Sequence, residues 1–260
     1  MDFLLLCMNQ LINMAAKIRY ISSGEHSVPL VVRAAIGRSW GQGAQHSQAL
    51  HSLFCHIPGI KVVAPTTPHD AKGILTSSIR DNNPVIFIEH RMLYKNAGFV
   101  PTHPYELPIG KGRILKEGND ITILGVSFTV EESLKAAELL NEVGVNAEVI
   151  DPISLSPIDY DLIRNSVNKT KKLLVVDNAW TKFGFASEVI TDVSINVENC
   201  ISKRLGFAET PCPTTPSLEK YFYPSPQLIA KKANLLCNGD DTWEPPSIIL
   251  KEISSFKGPF

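Results

Sequence analysis

The stretch GQGAQHSQALHSLFCHIPGIKVVAPTTPHDAKGILTSSIRDNNPVIFIEH (residues 41–90) holds two short β-branched runs, IKVVAP (60–65) and PVIFIEH (84–90), on either side of a segment with helix punctuation. Neither run alternates polar with apolar residues, the pattern expected of strands covered on both faces of a parallel sheet. Between them Thr67 is placed to cap a helix, Pro68 falls in a first turn where its missing N–H costs nothing, and Asp70 meets the positive helix end. A helix joining two parallel strands crosses over with a right-handed turn, which makes the architecture layered α/β.

The same alternation extends outward. Apolar runs recur at VPLVVRAA (28–35), DITILGV (120–126), NAEVIDP (146–152) and KLLVVDN (172–178). Thr129 and Glu132 have capping-box spacing, Val130, Leu134, Ala137 and Leu140 form a helical stripe, and Gly144 suits a left-handed C-cap. Residues 96–108, NAGFVPTHPYELP, concentrate Gly, Pro and polar side chains and predict a linker over 96–110. It would divide a first domain (1–95) from a second (111–236), followed by a proline-interrupted tail (237–260) that Trp243 and Phe256 could anchor.

With 260 residues, 44% hydrophobic, 20% charged and a net charge of −1, the chain reads as globular, with room for two cores. No basic patch exceeds Lys171-Lys172 or Lys231-Lys232, so nucleic acid is not an expected partner. Cys7, Cys55, Cys200, Cys212 and Cys237 form no CxxC pair and suggest neither zinc nor a disulfide framework. The opening MDFLLLCMNQ is far short of the roughly 18 apolar residues a membrane span needs and reads as a buried helix.

Gly37, Gly41 and Gly43 follow a strand, where ligand loops sit in open α/β sheets, but a plain turn fits them equally; neither GxGxxG nor GxxxxGK[ST] is present. His46 is expected to begin a helix running to Cys55. His46, His51 and His56 are spaced by five, which scatters them around a helix by roughly 140° per step and forbids a metal trio on one face. Each alone reads as an ordinary surface or hydrogen-bonded core histidine. Glu89-His90 fits either an acid/base pair or a buried polar pair tying the strand to the linker.

The 41–90 stretch closely resembles the signature of the β subunits of thiamine-diphosphate-dependent 2-oxoacid dehydrogenases, the pyruvate, branched-chain and acetoin group. The resemblance runs from MDFLLLCMNQLINMAAKIRY (1–20) through AEVIDPISLSPID (147–159) and VVDNAW (175–180) to PTTPSLEKYFYPSP (213–226). It implies a transketolase-like fold, with part of a pyrimidine-binding domain followed by a transketolase C-terminal domain. It also implies an α2β2 heterotetramer in which an α subunit holds magnesium and the diphosphate of thiamine diphosphate, while the β subunit holds the aminopyrimidine. The implied substrate is a small 2-oxoacid, and the implied further partner is the dihydrolipoyl acyltransferase core.

By the same resemblance His46 faces the thiazolium and the incoming lipoyl group, where an imidazole can give or take the protons of acyl transfer. Phe3 packs on the aminopyrimidine. The backbone carbonyls of Leu30, Ser78, Ile79, Asp81 and Asn83 match those holding potassium in some members. Family β subunits carry a further segment before the match to Met1, including the glutamate that protonates the cofactor's pyrimidine nitrogen, so the chain is expected to be inactive in isolation. A non-catalytic subunit that only docks the α subunit and the acyltransferase is the alternative; the C-terminal half of a transketolase or deoxyxylulose-phosphate synthase fits the AQHSQALHSLFCHIPG stretch poorly. The resemblance places the protein in the cytoplasm of a bacterium, or in the mitochondrial matrix or plastid of a eukaryote, with no targeting segment visible.

Overall fold

In a computed structural model, residues 1–38 and 41–246 are described. The elements in chain order are α1 (Ile18–Ile21), β1 (Val31–Ile36), α2 (Gly43–His46), α3 (His51–Cys55), β2 (Lys61–Val63), α4 (Pro68–Arg80), β3 (Val85–His90), β4 (Arg113–Lys116), β5 (Ile121–Gly125), α5 (Phe128–Leu140), β6 (Ala147–Asp151), β7 (Ser154–Ser156), α6 (Tyr160–Thr170), β8 (Lys172–Trp180), α7 (Phe185–Asn196), β9 (Ile201–Phe207), α8 (Pro216–Glu219) and α9 (Pro226–Asn238). They form two sheets, ordered β1-β3-β2-β7 and β4-β6-β5-β8-β9. The fold is transketolase-like α/β. No helix among the described residues is long and apolar enough to cross a membrane, and the five cysteines are free.

The apolar runs become strands because alternate residues enter different cores. In the five-stranded sheet, Ile121, Ile123, Val149, Leu174 and Val176 pack under α5 and α9. Leu124, Ile150, Leu173 and Val175 face the other way, into a core shared with Ile36, Phe54, Ile86 and Ile88 of the first sheet and with Phe185 and Val189 of α7. Both faces are buried, so the strands read as continuous apolar runs. Helix α4 starts as its sequence requires: the Thr67 hydroxyl accepts from the Asp70 N–H at 3.1 Å and Pro68 follows the cap.

Three strands carry no apolar run. The edge strand β9 (ISKRLGF) is partly exposed, β4 (RILK) is half-buried at the opposite edge, and β7 has three residues. The expected capping box is also corrected. Helix α5 is capped at Ser127, whose φ is 53°. The Thr129 hydroxyl donates within the core to the Val126 and Val176 carbonyls at 3.0 and 2.8 Å, and Glu132 is buried. The N-terminal segment is helical but not buried: Asp2–Cys7 forms a 3-10 helix on which Phe3, Leu5 and Leu6 are exposed. At the other end Trp243 packs against the α5/α9 core, whereas Phe256 lies outside the described residues.

Strand β7 ties the two sheets together. The chain leaves the five-stranded sheet at Asp151 and three residues later pairs antiparallel with β2, Val63 opposite Ser154 and Val62 opposite Ser156. The turn forces Ile153 to φ 52°, a left-handed conformation that costs a β-branched residue roughly 1–2 kcal/mol. It is held by Asp151, whose Oδ1 accepts the Ile153 N–H at 3.0 Å and whose side chain is fully buried. Burial, helped by the nearby Asp70 carboxylate, pushes the Asp151 carboxyl up to about 7 against the pull of Thr66, the Ile153 N–H and Arg113.

An aspartate in the unfolded chain titrates near 4. Between about pH 4 and pH 7 the folded protein therefore retains a proton that the unfolded chain has lost, and this contribution to stability falls as pH rises through that window. Melting temperatures measured from pH 4.5 to 7.5 should decline less steeply with rising pH in Asp151→Asn than in the parent. Parallel curves would remove Asp151 from the account.

Candidate functional site

Strand β1 ends at Gly37, whose φ is 86°. A Cβ there would lie 2.0 Å from His90 Nε2, so glycine meets both the backbone and the steric requirement. Arg91 Nη1 donates to the Gly37 carbonyl at 2.7 Å, and the Met1 ammonium donates to the Ala35 carbonyl at 2.9 Å. The strand thus ends at a braced point from which the chain passes to α2.

Helix α2 is one turn, and His46 ends it instead of opening a helix to Cys55. The interruption at 47–50 has visible causes. Ser47 and Ala49 are both buried, and the Gln48 N–H is taken by Asp2 Oδ1 at 2.9 Å; a carboxylate that captures a backbone donor competes with helix continuation. His46 is left exposed, with its ring centroid 5.4 Å from that of Phe3 and the planes at 61°. Phe3 is 59% exposed. Residues far apart in sequence therefore present two adjacent aromatic rings on the surface beyond the C-terminal end of β1.

Beneath this surface lies a polar knot that no local sequence pattern announces. Arg38 Nη2 donates to Glu132 Oε1 at 3.1 Å, and its guanidinium carbon lies 5.7 Å from the Phe128 ring centre and 5.0 Å from that of Tyr223. His90 stacks on Phe128 at 4.9 Å and 13°. Burial, with the Arg38 and Arg91 cations adding to it, holds the His90 imidazole well below its usual range. It is neutral at pH 7, and the Met92 N–H to Nδ1 contact of 3.2 Å puts its proton on Nε2. Burial also raises the Glu219 carboxyl, with Arg38 opposing, and raises the Cys212 thiol, which sits 3.4 Å from the Tyr223 hydroxyl.

Glu89 and His90 do not act on each other. Glu89 bonds Arg33 and, at 3.0 Å, the Tyr94 hydroxyl, while His90 faces Phe128. Both tie the end of β3 to neighbouring elements, which is the structural one of the two readings. The candidate potassium residues gather where α4 ends and β3 begins. The Leu30 carbonyl accepts from the Val85 N–H at 2.8 Å and the Ser78 carbonyl from the Asp81 N–H at 3.4 Å. The Asp81 side chain pairs with Lys61 and accepts from the Asn83 N–H at 2.8 Å, and Ile79 is exposed.

Comparison with known proteins finds counterparts of both halves of the chain. Residues 1–96 match the transketolase pyrimidine binding domain and residues 110–229 the transketolase C-terminal domain. The subunit beta of acetoin:2,6-dichlorophenolindophenol oxidoreductase from Bacillus subtilis (strain 168) is 42% identical over 231 residues, 88% of this chain and 68% of that protein. The pyruvate dehydrogenase E1 component subunit beta from Porphyra purpurea is 39% identical over 245 residues, 93% and 74% of the respective chains. A solved structure named "Split gene transketolase, inactive beta4 tetramer" shares the fold with a TM-score of 0.67 at 23% identity, over 88% of this chain and 75% of that one. The chain belongs to the family of transketolase-like β subunits of the thiamine-diphosphate-dependent 2-oxoacid dehydrogenases.

The exposure of the Phe3 ring is compatible with the flat aminopyrimidine of thiamine diphosphate, because an exposed aromatic face can stack on a heterocycle. Removing the Arg38 guanidinium would take one charged hydrogen bond from the Glu132 carboxylate and the cation from two aromatic rings, a loss that costs about 1.5–3 kcal/mol. Urea unfolding should show Arg38→Ala destabilised by that order. Arg38→Lys, which keeps the charge but not the planar stacking, should recover only part of it.

Proposed function

We propose that this chain, assembled with an α subunit as an α2β2 heterotetramer, carries out the oxidative decarboxylation of a small 2-oxoacid and the reductive acylation of a lipoyl domain. The observation that carries the reading is the Phe3–His46 pair near the end of β1, in a chain whose relatives include the β subunits of an acetoin:2,6-dichlorophenolindophenol oxidoreductase and of a pyruvate dehydrogenase E1 component. Residues 1–95 serve as part of the pyrimidine-binding domain, 96–110 as the linker, 111–236 as the C-terminal domain and 237–260 as the tail. When bound between this chain and the α subunit, thiamine diphosphate would supply nucleophilic, electron-sink chemistry at the 2-oxo carbon, and the α subunit would hold magnesium.

Phe3 packs on the aminopyrimidine and limits its tilt. His46, exposed at the same edge, holds or moves the proton exchanged between the reacting oxygen and the incoming dithiolane sulfur, the work of an imidazole near neutrality. The carbonyls of Leu30, Ser78, Ile79, Asp81 and Asn83 take potassium, which would brace the entry to β1 and β3. Acyl groups leave by way of a dihydrolipoyl acyltransferase core docked on the C-terminal domain. The location is the bacterial cytoplasm, or the mitochondrial matrix or plastid in a eukaryote.

The separated chain should show no thiamine-dependent decarboxylation, and turnover by it alone would overturn the division of labour. In the assembled protein His46→Ala should leave tetramer mass and cofactor affinity unchanged while slowing single-turnover lipoyl acylation by roughly 10²- to 10⁴-fold. Normal acylation by a stable variant would sink the assignment. A structural histidine would instead lower the melting temperature and weaken the tetramer while the surviving fraction stayed active.

Potassium is tested on the chain itself. A ligand bound only by the folded state raises the melting temperature, so melting should be higher in potassium than in matched sodium buffer. Identical curves would argue against the site.

A further inference from the structure

His51 is the first residue of α3 and Asp177 lies in the middle of β8, 126 positions away in sequence. His51 Nε2 is hydrogen-bonded to Asp177 Oδ2 at 3.4 Å and lies 3.1 Å from Oδ1, and neither side chain has any exposed surface. We infer that this buried pair is a positioning device for His46, clamping the 43–55 segment onto the C-terminal sheet so that the imidazole is presented in one place. The inference rests on the reading of His46 as the proton-transfer residue.

Three observations support it. First, the segment that carries His46 is built from two single-turn helices and an irregular stretch, and neither helix has a side-chain cap. Pieces this short hold no fixed geometry by their own hydrogen bonds, so their placement must come from outside.

Second, the external pins form a relay. Asp177 holds His51, the Ser52 hydroxyl accepts the Phe185 N–H of α7 at 3.1 Å, Asp2 holds the Gln48 N–H, and the Phe3 ring meets His46. Two pins come from the C-terminal unit and two from the N-terminal 3-10 helix, and His46 is set where the chain between them is short. Moving the foot of α3 along β8 would carry Gln48 away from Asp2 and the imidazole away from Phe3.

Third, the pair is a poor choice for stability alone. Buried polar groups cost free energy unless they are fully hydrogen-bonded, and His51 Nδ1 and Asp177 Oδ1 are both buried without a hydrogen-bond partner. What such a pair supplies that a leucine does not is direction: an imidazole facing a carboxylate has one satisfactory seat, while an apolar side chain accepts many.

Two readouts test this. In the chain itself, the nuclear Overhauser effect between the His46 ring protons and the Phe3 ring reports placement without reference to activity. Asp177→Asn, nearly the same shape, and His51→Leu should both weaken it well below their melting temperatures, and the exchanged pair His51→Asp with Asp177→His should restore it. In the assembled holoenzyme Asp177→Asn should lower kcat for acyl transfer roughly 10- to 100-fold, the effect of a misplacement of about an ångström, while KM for the 2-oxoacid changes less than about twofold.

Variants that melt earlier yet keep the Overhauser effect and kcat would reduce the pair to a structural one. Single variants that fail to fold and are not rescued by the exchange would do the same. If His46→Ala leaves acyl transfer intact, the catalytic reading of His46 fails on its own, and the Overhauser measurement still decides whether the pair positions the ring.

Discussion

The Arg38 guanidinium lies between two aromatic rings, Phe128 and Tyr223, with the Glu132 carboxylate at its edge. Arg38 lies two positions beyond the last strand residue of β1, whereas the other three belong to the C-terminal unit. A charge this deeply buried is tolerated only where opposite charge and π-faces surround it. The end of β1 is therefore locked to the start of α5, and everything presented beyond β1 inherits that lock. His90, neutral and stacked on Phe128 as well, extends it across the sheet: Gly37 packs so closely on the imidazole that no Cβ fits between them.

A second constraint operates at the opposite edge of the first sheet, where β7 crosses from the C-terminal unit to pair with β2. The turn that permits this stores backbone strain at Ile153 and a buried carboxyl at Asp151. Lock and crossover fall on either side of the core shared by both sheets. The two units share side chains in one apolar cluster, Ile36 and Ile88 with Leu124, Val175 and Phe185, so the site at the end of β1 rests on both.

The site itself differs from its foundation. Phe3 and His46 are exposed and held by few bonds, while the layer behind them is dense and polar. Under the proposed function this contrast would leave Phe3 and His46 accessible to a cofactor ring and a carrier domain while rigidity comes from below. The N-terminal segment, apolar in composition, packs Met1, Leu4, Cys7 and Met8 against the core. Leu5 and Leu6 sit on a helical face turned away from the core.

The sequence by itself determined the α/β class, the six apolar strands, the start of α4 at Thr67-Pro68 and the stripe of α5. It did so because continuous apolar runs and helix caps are local consequences of burial on both faces and of unpaired backbone donors. The family resemblance also singled out His46 in the 41–90 stretch and Phe3 in the opening one, whose ring centroids lie 5.4 Å apart in the fold. Tertiary structure alone decided the rest. Glu132 has the spacing of a cap, but a cation 94 residues away draws it inward. The helix expected from His46 breaks because Asp2 takes the Gln48 N–H. The strands β4, β7 and β9 form because a neighbour offers them an edge, and His51 is buried because Asp177 waits in β8. Each of these depends on a partner distant in sequence, and a local pattern carries no record of such a partner until the chain has folded.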